Sequence, residues 1–124
     1  MTRIFVVTDE QWVRNEVHAA LSPTGAELVD HPDPTTATEA ALEANATAVV
    51  VDLQVGSMGG MAVARSVRDT EPEEWSLRVI LLLDRQADAF LAGRAGADGW
   101  VTKPFTAREL RDAVGLVVSS DEQV

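Results

Sequence analysis

Four charged side chains stand directly behind short apolar runs, and their types suit phosphate or metal chemistry. Asp9 follows Ile4-Phe5-Val6-Val7-Thr8, and Asp52 follows Ala48-Val49-Val50-Val51. Asp84 follows Val79-Ile80-Leu81-Leu82-Leu83, and Lys103 follows Gly99-Trp100-Val101-Thr102. Carboxylates brought close together repel and need a counter-charge, from a bound cation or an ammonium. Oxygen ligands with open positions suit Mg²⁺, which takes one or two carboxylates and keeps waters that a phosphate can replace. Lys103 is the only lysine in the chain and can act as a point charge on a phosphoryl oxygen or on Asp52. Each residue also has a plainer use. Asp52 can end a strand, Asp9 can cap the helix that begins near residue 11, and Lys103 can lay its stem along apolar surface.

For these side chains to meet, the runs must be parallel strands ending at one edge. Continuous apolar runs suit strands covered on both faces. The pattern predicts strands near 4–7, 26–29, 48–51, 79–83 and 99–102. Between and after them, helices are expected at about 11–21 (Val13, Val17, Ala20, Leu21), 36–44, from Met61 through Ala64 and Val67, around Phe90, Leu91 and Ala95, and at 106–118 (Leu110, Ala113, Val114, Val117). Strands alternating with helices imply an α/β fold, a (βα)5 doubly wound parallel five-stranded sheet in the flavodoxin-like order 2-1-3-4-5. In that order the first and third strands are neighbours, so Asp9 and Asp52 converge. One domain is expected over residues 1–118, with a polar C-terminal tail at 119–124.

The chain has 124 residues, a formal charge of −10 and no cysteine. That charge argues against nucleic acid and anionic membrane as partners, because phosphate backbones are held by clustered Lys and Arg. No apolar run reaches the ~20 residues a membrane span needs, and no signal-peptide pattern opens the chain. A cytoplasmic location is the expectation. Trp12 and Trp75 read as packing residues, His18 and His31 as ordinary surface residues, and Glu71, Glu73 and Glu74 as a solvated acidic turn.

The segments IFVVTDE, VVVDL followed by GSMGGM, and GADGWVTKPF together resemble the response-regulator receiver family over nearly the full length. The resemblance implies that Asp52 accepts a phosphoryl group from a histidine kinase. It implies that Asp9, Asp52 and the backbone carbonyl of Gln54 ligate Mg²⁺, and that Lys103 bridges to the phosphoryl or carboxylate oxygen. The chain would catalyse its own phosphoryl transfer and dephosphorylation without being an enzyme otherwise, and would act through a downstream protein target as a single-domain regulator. The face made by the fourth helix, fifth strand and fifth helix, with Phe90, Arg94, Trp100, Arg108 and Arg111, is the expected contact surface and a route to a homodimer.

The chain departs from that family at several positions. Thr8 stands where an acidic residue is usual, so Mg²⁺ binding should be weak, with Glu10 as a candidate to compensate. Leu83 falls where strand four usually ends on a hydroxyl, with Asp84 next, and Trp100 replaces a smaller mobile aromatic. Gly56 replaces a proline in the loop after the acceptor, which should loosen that loop. Thr8 and Leu83 support a rival reading, a phosphorylation-independent pseudo-receiver that serves as a protein interaction module. A small enzyme fits less well. An aspartyl phosphohydrolase would want a second acid where Gln54 stands, and a flavin phosphate would be repelled by Asp9 and Glu10.

Overall fold

Valine- and leucine-rich runs without a polar alternate cannot face water on either side, so the sheet they form must be covered twice. The computed structural model describes residues 2–54, 59–70 and 77–122, without the side chains of Thr70 and residues 116–122. Along the chain it contains β1 (Arg3–Val7), α1 (Gln11–Leu21), β2 (Glu27–Asp30), α2 (Ala37–Glu43) and β3 (Ala48–Asp52). Then come α3 (Gly60–Thr70), β4 (Arg78–Leu83), α4 (Ala89–Arg94), β5 (Gly99–Thr102) and α5 (Ala107–Glu122). The five strands form one sheet in the order β2-β1-β3-β4-β5, parallel throughout. Fold class and strand order are as the sequence implies. The last helix runs past the expected boundary at 118, as far as Glu122.

One apolar layer joins Phe5, Val7, Val49, Val51, Leu81 and Leu83 to Ala37 and Ala41 of α2, Val63, Ala64 and Val67 of α3, and Ala92 of α4. On the other face Ile4, Val6, Val50, Ile80 and Leu82 meet Val13, Val17 and Leu21 of α1 and Leu110 and Val114 of α5. Successive strand residues therefore go to opposite layers, and every one of them is covered. Alanines dominate α2 and the inner side of α4, which lets these short helices lie close to the sheet.

Registry brings the strand ends level. Val7 pairs with Val51, Asp52 with Leu82, and Leu83 with Thr102. Backbone bonds continue past the strands, from Leu53 N–H to Leu82 O (2.9 Å) and from Lys103 N–H to Leu83 O (2.7 Å). Gly60 opens α3 against the end of β3, where a Cβ would lie 2.9 Å from the Asp52 carbonyl oxygen and 3.0 Å from Leu53 Cα. Any other residue would push α3 off the sheet. Among the described residues no helix is long and apolar enough to cross a membrane.

Several local expectations change. Trp12 is 50% exposed on α1 rather than packed. Glu10, not Asp9, occupies the N-cap of α1, and without a side-chain cap bond. On α4, Phe90 and Leu91 face outward while Ala92 is buried. Both histidines lie at the surface but are tied to neighbours, His18 to Asp30 (2.7 Å) and His31 to Thr36 Oγ1 (2.7 Å), with His31 beside the Phe5 ring. Gly56, Glu71, Glu73, Glu74 and Trp75, and the Val117 side chain, lie outside the described residues.

Candidate phosphoacceptor site

Asp52 ends β3 and is fully buried, which for a carboxylate demands partners. It has three. Thr8, also buried, donates its hydroxyl to Oδ2 at 2.9 Å. The Gln54 backbone N–H donates to Oδ1 at 3.1 Å, and Lys103 Nζ reaches the same oxygen at 2.5 Å. The Lys103 side chain is only 9% exposed, so this ion pair is largely out of solvent. The Thr8 hydroxyl in turn accepts from the Glu10 backbone N–H (3.1 Å), and Arg14 of α1 donates to the Thr8 carbonyl (3.2 Å).

Asp84 enters from the end of β4. Its Oδ1 lies 2.9 Å from Lys103 Nζ, and its Oδ2 accepts from the Gln54 side-chain amide at 2.5 Å. Burial disfavours its charged form, but hydrogen bonds from Lys103 and Gln54 outweigh this and hold its carboxyl below the ordinary value. Burial likewise opposes the charge on Lys103, and the two carboxylates overcome it, raising the ammonium above its ordinary value. Leu83, the residue expected at the hydroxyl position of strand four, ends β4 and is fully buried in the layer under α3 and α4. The side chain that β4 presents to the acceptor is therefore Asp84. Whether Asp84 would turn into the site was open in the sequence, and its contacts with Lys103 and Gln54 show that it does.

Asp9 and Glu10 follow Thr8 at the same edge, and both are exposed. Among the described residues no group of three or more His, Cys, Asp or Glu is placed to hold a metal ion. Asp9, Asp52 and the Gln54 backbone still offer a donor set of hard oxygens. One or two carboxylates are what Mg²⁺ ordinarily uses, so the chemistry of the set fits that ion.

Thr8, Asp52, Gln54, Asp84 and Lys103 thus form one connected cluster. Sequence reading found the charged members but took Thr8 only as a missing carboxylate. For Gln54 the sequence suggests a site role only through the carbonyl, although its N–H and side-chain amide both hold the site. Beside the cluster, Trp100 is 37% exposed and Phe90 71%, with the Arg94 guanidinium 5.8 Å from the Phe90 ring centre.

The family model for the response regulator receiver domain matches residues 4–115. Aerobic respiration control protein ArcA of Escherichia coli is 28% identical over 107 residues, covering 86% of this chain and 44% of that protein. The chain thus corresponds to less than half the length of that relative. Among solved structures, the response regulator TrrA from Thermotoga maritima, in complex with Mg²⁺ and beryllofluoride, superposes with a TM-score of 0.80. It is 27% identical, over 94% of this chain and 99% of that one. The receiver domain of a sensor histidine kinase from Pseudomonas aeruginosa, with magnesium coordinated in its active-site cleft, gives 0.82 at 22% identity, over 95% and 98% of the two chains.

Proposed function

The chain belongs to the response regulator receiver family, and from that premise we propose that Asp52 accepts a phosphoryl group from a histidine kinase and that the domain signals by protein contact. The observation that carries this reading is the buried Asp52 carboxylate with the only lysine of the chain 2.5 Å away. In the transfer, an Asp52 carboxylate oxygen attacks the phosphorus of the kinase's phosphohistidine. The P–N bond breaks, its electron pair leaves on the imidazole nitrogen, and an acyl phosphate remains on Asp52. Lys103 is placed to follow the charge onto a phosphoryl oxygen, and the Thr8 and Gln54 donors keep the carboxylate oriented.

Asp9, Asp52 and the Gln54 carbonyl would hold Mg²⁺, which neutralises phosphoryl oxygens when bound. Binding should be weak because Thr8 contributes a hydroxyl and no charge, and Glu10 is the nearest further carboxylate in sequence. A cytoplasmic location is part of this reading, and the net charge of −10 argues against nucleic acid as a direct partner of the domain. The exposed Phe90, Leu91 and Trp100 supply the apolar part of a contact face for a downstream protein or a second copy.

Intact mass after incubation with phosphoramidate and Mg²⁺ tests the acceptor. One added phosphoryl group is expected in the wild type and none in Asp52→Asn; an unchanged wild-type mass would refute it. A second reading, an interaction module that works without phosphorylation, is favoured by the carboxylate of Asp84 already seated on Lys103. Partner binding that is the same for wild type and Asp52→Asn would select it.

A further inference from the structure

We propose that Asp84 is a built-in competitor of the phosphoryl group, a carboxylate that occupies Lys103 and must give way before Asp52 can hold phosphate. The inference rests on the acceptor reading of Asp52 and adds a regulator to that site. Its basis is placement. Asp84 directly follows the end of β4, the edge where Asp52 and Lys103 also lie. There both Asp84 oxygens are engaged, Oδ1 by Lys103 at 2.9 Å and Oδ2 by the Gln54 amide at 2.5 Å. Gln54 also donates its backbone N–H to Asp52, so a single residue ties the acceptor and the competitor together.

An ammonium has three N–H donors, and two of those on Lys103 are directed at carboxylates. A phosphoryl group on Asp52 would bring roughly −1.5 to −2 of charge and acceptor oxygens that want the same lysine. Asp84 then acts twice. It holds the donor that the phosphoryl oxygen needs, and its own negative charge lies on the same lysine as the new one. Both effects disfavour the phosphorylated state, and both vanish when the carboxylate becomes an amide of the same shape. A serine or threonine in its place would likewise remove the charge and offer a hydroxyl donor.

The test compares wild type, Asp84→Asn and Asp84→Thr in the full chain with two probes. The first is the rate of phosphoryl gain from phosphoramidate, in which the P–N bond breaks, ammonia leaves and Asp52 gains the phosphoryl group. The second is the affinity for beryllofluoride with Mg²⁺, followed by the change in tryptophan fluorescence or by calorimetry. Both should rise about tenfold or more in Asp84→Asn, the scale expected for removing one close like charge. Asp84→Thr should match or exceed it, with both variants folded and their thermal midpoints lowered by no more than loss of the Asp84–Lys103 pair accounts for. Equal rates and affinities in all three proteins would overturn the competitor and leave the acceptor standing. No phosphoryl gain and no beryllofluoride binding in any of them would overturn the acceptor and the competitor with it.

Discussion

A threonine beside a buried carboxylate does what an acidic residue could not, because it donates. Asp52 is fully buried, and the Thr8 hydroxyl satisfies the oxygen that Lys103 does not touch. The same substitution leaves the edge one charge poorer for a cation. Thr8→Asp should therefore move two properties in opposite directions. Mg²⁺ affinity should rise by about tenfold, as a restored outer carboxylate would give. Stability without metal should fall by roughly 1–3 kcal/mol as Asp52 loses its donor and gains a repelling neighbour. Calorimetric titration and urea unfolding would measure the two, and an unchanged Mg²⁺ affinity would show that Thr8 does not limit metal binding. Asp52 and Lys103 were legible in the sequence because each directly follows an apolar run. The donor role of Thr8 was not, since a hydroxyl's partner depends on which oxygen it faces across two strands.

Among the elements, β4 says least in its sequence about which way its side chains face, and the reason is physical. Val79 to Leu83 is apolar at every position because both faces of the strand are covered, so no polar alternate marks which residues point where. The strand and its end are legible, but whether Asp84 turns into the site is not. Fold class and strand order were legible because alternating runs and right-handed crossovers leave few arrangements. The start of α3 shows the opposite case, a glycine-rich signal with a definite structural cause. Gly60 lets the helix begin against the carbonyl of the acceptor itself. Gly60→Ala should cost about 1–3 kcal/mol, as overpacked sites do. Gly115→Ala, where a Cβ meets nothing within 4 Å in the interior of α5, should be neutral or slightly stabilising. Paired denaturant melts would check this, and equal costs would show that the close approach at Gly60 is not tight.

At the scale of the whole molecule, composition makes the site unusually easy to isolate. The chain has no tyrosine, no cysteine and one lysine, so between about pH 9.5 and 12 a single side chain titrates. That side chain is Lys103, raised above its ordinary 10.5 when folded because its two carboxylate partners outweigh its burial. Its contribution to stability is complete below the unfolded value and is lost as pH rises through the folded one. Asp84 gives the mirror limb, present above 3.8 and lost as pH falls through its lowered value. Thermal midpoints should therefore fall through the alkaline window in the wild type and stay flatter in Lys103→Arg, whose guanidinium keeps its charge. Parallel curves would mean that the pair adds nothing to folding. The burial of that lysine also bears on chemical modification. Acylating reagents and amine-directed crosslinkers need a neutral, accessible amine, and the one ε-amine in this chain is protonated and 9% exposed. Derivatisation at Lys103 therefore counts the molecules whose acceptor edge has opened, and attachment chemistry meant for lysines will leave the closed protein unlabelled at every side chain.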